Sequence, residues 1–252
     1  MEEKMRMMKS CSMEEITNPI LLVSGDIHGE LRKLVWNVSS KVLISNIPEI
    51  HVIVAGDFGV GFGNPGAMDV LYNTVKNKLE KYNIYIYAVR GNHDDPSWFD
   101  GTHDYPRLRF LQDYKVYEIE GKTILPIGGA HSIDRESRIE DNLAYEKYGS
   151  RKRCWWPGEV IKKVSISELP DKVDIIVTHE APISFEPIIV REMGDGLKLW
   201  EDILDSRQYL NQILQEVKAE LWIHGHYHRS TSGSYGDLLY RGLDIHEIYT
   251  IY

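Results

Sequence analysis

WIHGHYH, residues 222–228, places three histidines within five positions, directly behind the apolar run AELW. Imidazoles are costly to bury unless something satisfies their nitrogens. The run before them looks like a buried strand, so these histidines stand where a strand ends. Five other apolar runs end on turn residues in the same way. ILLVS (20–24) precedes GDIHG, HVIVA (51–55) precedes GDFG, and IYIYAV (84–89) precedes RGNHD. TILPI (123–127) precedes GGAH, and VDIIVT (173–178) precedes HEAP. Continuous apolar runs of this kind suit strands buried on both faces and covered by helices.

Helical patterns lie between them. Leu31, Leu34, Val35 and Val38 share one face, as do Met68, Leu71, Tyr72, Val75 and Leu79 behind an Asn64-Pro65 start signal. Trp200, Ile203, Leu204, Leu210, Ile213, Leu214 and Val217 repeat the pattern, with a break expected near Asp205-Ser206. Strand alternating with helix predicts an α/β architecture. YGDLLYRG and HEIYTIY, in the last third, read as antiparallel strands closing a second sheet. The interval 128–172 reads as a long insertion loop, a length that usually carries function or small elements of its own.

Composition bounds the function. The chain has 252 residues, 42% hydrophobic and 27% charged, enough for one large globular domain or two small ones. A formal charge of −9 argues against a protein that coats nucleic acid, because phosphate backbones call for an excess of Lys and Arg. Two cysteines, Cys11 and Cys154, build no disulfide scaffold, so a cytoplasmic location is expected. MEEKMRMMKSCSMEE contains no apolar run, and no stretch is long enough to span a bilayer. Residues 1–18 read as an extension and 19–252 as the domain, with no membrane partner.

Ligands of open α/β sheets collect beyond the carboxyl ends of strands. Those ends carry, in order, Asp26 and His28, Asp57, Asn92 and His93, His179, and His226 with His228. Any one of these short motifs is weak alone. All five in this order form a specific joint signal.

In these motifs the chain resembles the calcineurin-like metallophosphoesterase superfamily, whose pattern appears here as GDIHG, GDFG, GNHD, THEAP and GHYH. The resemblance implies a four-layer αββα sandwich of two mixed sheets flanked by helices, with a two-metal site at one edge. By correspondence, Asp26, His28, Asp57 and His228 would hold one ion, and Asp57, Asn92, His179 and His226 the other, with Asp57 as the bridge. Oxygen and nitrogen donors without thiolate suit Mn, Fe, Zn or Co, manganese being favoured. Two divalent ions against two aspartates and one hydroxide leave a positive pocket in an acidic protein, which points to a small phosphate-ester substrate, a nucleotide among the candidates. The family's chemistry is attack by a metal-bridging hydroxide, with His93 acting as general acid or as a stabiliser of negative charge. Gly225 is expected to let the backbone turn so that His226 and His228 diverge, one to each ion. His224 is left as a strand-end residue.

The chain departs from the serine/threonine phosphatases of that superfamily. Their second motif is GDxVDRG, whereas this one reads GDFGVGF and lacks the phosphate-gripping arginine. His131, Arg135 and Arg138 could supply substrate contacts instead, or be a turn with solvated arginines. Trp155-Trp156 beside Arg151-Lys152-Arg153 could stack a base or pin the long loop to the core. His51, His103 and His246 belong to no constellation. A non-catalytic scaffold that kept the fold is the alternative, though such relatives usually lose ligands and this chain keeps all seven.

Overall fold

The computed structural model describes residues 19–45, 47–62, 66–149, 153–185 and 197–251. The first apolar runs become β1 (Ile20–Ser24), β2 (Ile50–Val54) and β3 (Ile84–Ala88), which pair in parallel with β4 (Leu108–Phe110) beyond them. A second sheet starts with the antiparallel pair β5 (Tyr117–Ile119) and β6 (Lys122–Ile127). It continues through parallel β7 (Ile175–Thr178) and β8 (Leu221–His224). A hairpin of β9 (Thr231–Tyr235) and β10 (Leu238–Gly242) completes it, with β10 parallel to β8. β11 (Ile248–Ile251) returns to the first sheet and runs antiparallel to β1, with Val23 opposite Tyr249. So YGDLLYRG closes the second sheet as expected, whereas HEIYTIY closes the first.

Three apolar clusters build the layers. Helices α1 (Leu31–Ser45) and α2 (Ala67–Lys81) pack Leu34, Val38, Tyr72 and Val75 onto Leu22, Val52, Val54 and Ile86 of the first sheet. Leu21, Val23 and Ile53, from the other face of that sheet, meet Ile124, Val177 and Ile223 of the second. Trp222, Ile176 and Leu125, facing outward from the second sheet, meet Leu210, Ile213 and Leu214 of α4 (Leu197–Glu216). The order is helix, sheet, sheet, helix, an αββα sandwich. Neighbours along β1 thus enter different apolar layers, which is why its sequence is a continuous apolar run rather than an alternating one. Each fully buried aliphatic side chain contributes about 1.5–3 kcal/mol.

Three details bear on the sequence reading. The Asn64-Pro65 start signal lies outside the described residues. α4 runs unbroken through Asp205-Ser206: Asp205 is exposed and pairs with Lys163, while Ser206 and Arg207 are buried and partnered. Ser206 Oγ lies 3.0 Å from His131 Nε2, and Arg207, 1% exposed, donates to the carbonyl oxygens of Ala181 and Pro182. The interval 128–172 contains a helix, α3 (Arg135–Tyr148), closed by Gly149 in the left-handed region.

Candidate metal centre

The loops after β1, β2, β3, β7 and β8 meet at one edge of the sandwich. Backbone contacts fix them before side chains matter. His28 N–H donates to Asp57 O at 2.8 Å, and His93 N–H donates to Asp57 Oδ1 at 2.8 Å. His179 Nδ1 lies 2.9 Å from Ala55 O, which ties the second sheet to the first. Four of the seven expected ligands hold a positive φ: His28 (43°), Asp57 (49°), His226 (69°) and His228 (49°). Such conformations cost of order 1–3 kcal/mol each and cluster at functional sites. The turn expected of Gly225 is therefore made by His226 and His228 themselves. Gly225 is there for space: a Cβ would stand 2.2 Å from Asp26 Oδ1 and 2.6 Å from Ala55 O.

Side chains then converge in two groups. Donor atoms of Asp26, His28, Asp57 and His228 all lie within 4.8 Å of one another. His228 Nε2 is 3.0 Å from Asp26 Oδ2, and His28 Nδ1 is 3.7 Å from Asp57 Oδ2. On the other side, His179 Nε2 lies 3.2 Å from Asp57 Oδ1 and 2.9 Å from Asn92 Oδ1. The His226 ring packs against that of His179 with centroids 4.9 Å apart. Asp57 stands between the groups, one oxygen toward each.

The donor set fits divalent cations. Asp26 Oδ2 is buried with no aligned hydrogen-bond donor. His179 Nε2 faces two oxygens while Nδ1 is occupied by Ala55, so either a proton or a cation must stand between them. Burial works against a charged His179, but the Asp57 and Asp26 carboxylates outweigh it and lift its pKa to about 10. Burial, reinforced by that neighbouring charge, pushes His226 down to about 3. Burial opposes ionisation of Asp57 too, yet the charge and hydrogen bond of His179 hold it well below the usual carboxylate range. Two carboxylates, an amide oxygen and four imidazoles, with no thiolate, are hard-to-borderline donors.

A cleft of about 560 Å³ opens onto these groups. His93 and Arg138 line it: Arg138 Nη1 is 3.2 Å from His93 Nδ1, and Nη2 is 3.1 Å from Nε2. Guanidinium can only donate, so it favours a neutral imidazole. Burial and the Arg138 charge lower the His93 pKa against the pull of Asp57. His131 and Arg135 do not line the cleft; they face α4. His131 is 5% exposed beside Ser206, and Arg135 Nη1 pairs with Asp202 Oδ2 at 3.0 Å. At the start of α3 their side chains diverge from that of Arg138, three residues further on.

Supporting residues complete the picture. Asn92 Nδ2 donates to Ser132 Oγ at 3.0 Å, and that hydroxyl donates to Glu159 Oε2 at 2.7 Å, which leaves Asn92 Oδ1 facing the centre. No local motif marked Ser132 or Glu159, because they act through Asn92 and sit on the long interval after β6. Asp94, next to His93 in the chain, accepts backbone N–H bonds from Phe58, Gly59, Val60 and Gly91. Asp95 caps a short 3-10 turn through Ser97 N–H. Glu180, 1% exposed, accepts from Ala181 N–H and the Tyr227 hydroxyl and lies 3.9 Å from His226 Nε2. Trp156 is buried edge-on against Phe62, so it pins the long segment; Arg151 and Lys152 lie outside the described residues. His224 is buried at the end of β8. His51, expected to be alone, instead joins Glu49 and Glu120 at the opposite ends of the strands, with Nε2 at 2.7 and 2.9 Å from their carboxylates.

Fold and donor set together place a candidate site for divalent cations at the carboxyl ends of the strands. The chain belongs to the calcineurin-like phosphoesterase family, whose model matches residues 20–230. Among curated proteins it is similar to the UDP-2,3-diacylglucosamine hydrolase of Histophilus somni (strain 129Pt), 23% identical over 176 residues. That match covers 69% of this chain and 66% of the relative, so the chain spans just under two thirds of the relative's length. Among solved structures it is similar to the phosphopantetheinyl hydrolase PptH of Mycobacterium tuberculosis, with TM-score 0.47, 14% identity and 91% of each chain covered. It is also similar to GAP50, the anchor in the inner membrane complex of Plasmodium, with TM-score 0.45, 15% identity, and 89% of this chain and 71% of that one covered. No helix among the described residues is long and apolar enough to cross a membrane.

Proposed function

We propose that this chain is a dinuclear metal-dependent phosphoesterase acting on a small phosphate ester. Asp26, His28, Asp57 and His228 would hold one ion, and Asp57, Asn92, His179 and His226 the other. The observation that carries the reading is Asp57, buried between the two groups with Oδ1 3.2 Å from His179 and Oδ2 3.7 Å from His28. When bound, the ions supply Lewis acidity that neutralises phosphoryl oxygens and acidifies a water. Oxygen and nitrogen donors without thiolate suit Mn, Fe, Zn or Co, and manganese is the ion proposed.

The chain's own groups supply the rest. Arg138 reaches the cleft from α3 and takes the place of the arginine that GDFGVGF lacks, donating to phosphoryl oxygens as a planar fork. His93, held beside Asp57 through its backbone N–H, presents a neutral imidazole whose N–H assists the departing oxygen. Ser132 and Glu159 keep the amide of Asn92 turned toward the ions. A scaffold without catalysis, the rival reading, gives no account of four strained ligand residues and an arginine set over His93.

Metal analysis joined to hydrolysis of nitrophenyl phosphate and bis(nitrophenyl) phosphate tests this. The wild type is expected to bind two ions per chain and to turn over at least one ester, which also decides between monoesterase and diesterase. Asn92→Ala is expected to lose one of the two ions and most of the activity. Undiminished turnover in Asn92→Ala would sink the assignment.

A further inference from the structure

We propose that the ester this cleft takes bears an apolar organic group directly beyond its phosphoryl group, which makes the substrate an amphiphilic phosphate ester and not a polyphosphate or a nucleic acid. The proposal rests on the phosphoesterase reading and names the substrate class within it.

The wall of the cleft carries the inference. It begins at Tyr227, set in the chain between His226 and His228, and continues over Trp200 and Ile203 of α4 to Ile133 at the start of α3. Trp200 and Ile203 are three residues apart and so share one side of their helix. Ile133 is 73% exposed. Water is a poor setting for an isoleucine, and one that lines a cleft beside a hydrolytic centre is placed to be covered by what enters.

Charge points the same way. Among the described residues that line the cleft, Arg138 is the single Lys or Arg, and its Nε is already 2.6 Å from Asp134 Oδ1. The other charged groups away from the ligands are acidic, Asp134 and Glu180. One guanidinium matches one phosphoryl group. A second phosphate would meet the Asp134 carboxylate without a guanidinium of its own, and a nucleic-acid backbone would find no row of cations among the described lining residues. In the reaction a water oxygen bonds to phosphorus, the bond from phosphorus to the ester oxygen breaks, and that oxygen leaves with a proton on the apolar group.

The experiment is a matched series on the manganese-loaded full chain: methyl to hexyl phosphates and the corresponding alkyl nitrophenyl phosphates, with phenyl and naphthyl esters and nucleoside mono- and triphosphates alongside. kcat/KM is expected to rise about fourfold per methylene over the first carbons, the factor that corresponds to about 0.8 kcal/mol per buried CH2. The rise should fall mainly on KM. Aryl esters outrunning alkyl esters of similar area would assign the wall to planar groups, and the reverse to chains; either outcome supports an apolar partner. Ile133→Asp, at an exposed position that folding does not need, is expected to flatten the series. A flat series in the wild type, an unchanged slope in Ile133→Asp, or a preference for nucleoside triphosphates would overturn the proposal while leaving the phosphoesterase reading intact. If no ester is hydrolysed and no ion binds, both fall.

Discussion

Arg138 is a residue whose role depends on its neighbours more than on any motif. Its Nη atoms lie 3.2 and 3.1 Å from the two nitrogens of His93, and its Nε is braced by Asp134. Charge alone did not separate it from Arg135, which pairs with Asp202 on α4. Arg138→Ala is expected to lower kcat/KM on the order of a hundredfold, the scale of removing one well-aimed donor to a developing anion. Arg138→Lys should recover only part, since an ammonium lacks the fork. Steady-state kinetics on the preferred ester check this; unchanged constants in the alanine variant would remove Arg138 from the phosphate site. The candidate ligands were legible because each sits one to five residues past an apolar run. Ser132, Glu159 and the turn of Asp94 toward the Phe58 loop were not, because they work through contacts up to 40 residues distant in sequence.

Elements were legible in proportion to how much apolar surface each buries. α1 and α2 announce themselves by one-sided stripes. α3 buries Asn142 alone among its residues, so no stripe marks it, though Gly149 at its end and its run of Glu, Arg, Leu, Ala and Lys are helix signals read by propensity. β4 and β5 are three residues each, too short for periodicity. β11 was assigned to the wrong sheet because pairing with β1 is a contact between opposite ends of the chain. α4 hid its continuity behind Arg207, which is buried against the loop that aims His179. Arg207 donates to Ala181 O and Pro182 O and lies 3.8 Å from Glu180 Oε1. Arg207→Met leaves Glu180 buried without that partner and is expected to cost about 3 kcal/mol in stability. Urea denaturation measures it, and a loss under about 1 kcal/mol would mean the loop holds itself.

At the scale of the molecule, both sheets present the carboxyl ends of their parallel strands to one edge, and the core clusters lie mainly in the strands and helices behind it, with Ile27, Phe58 and Val60 reaching into the site's own loops. Metal and fold should therefore be separable. Chelation is expected to abolish hydrolysis and leave the far-ultraviolet circular dichroism intact. At an ion concentration a hundred times its Kd, chelation should lower Tm by about 5–10 °C for each ion removed. Collapse of secondary structure on chelation would instead make the ions part of the folding core. The left-handed turns at His28, Asp57, His226 and His228 extend this point. Because the backbone sets those four conformations, the proposed cage would stand ready-made for whichever suitable ion reached it first. On the proposed reading its occupant would follow the supply of transition metals, and a tighter-binding competitor such as zinc would displace the proposed manganese without any refolding to give the exchange away.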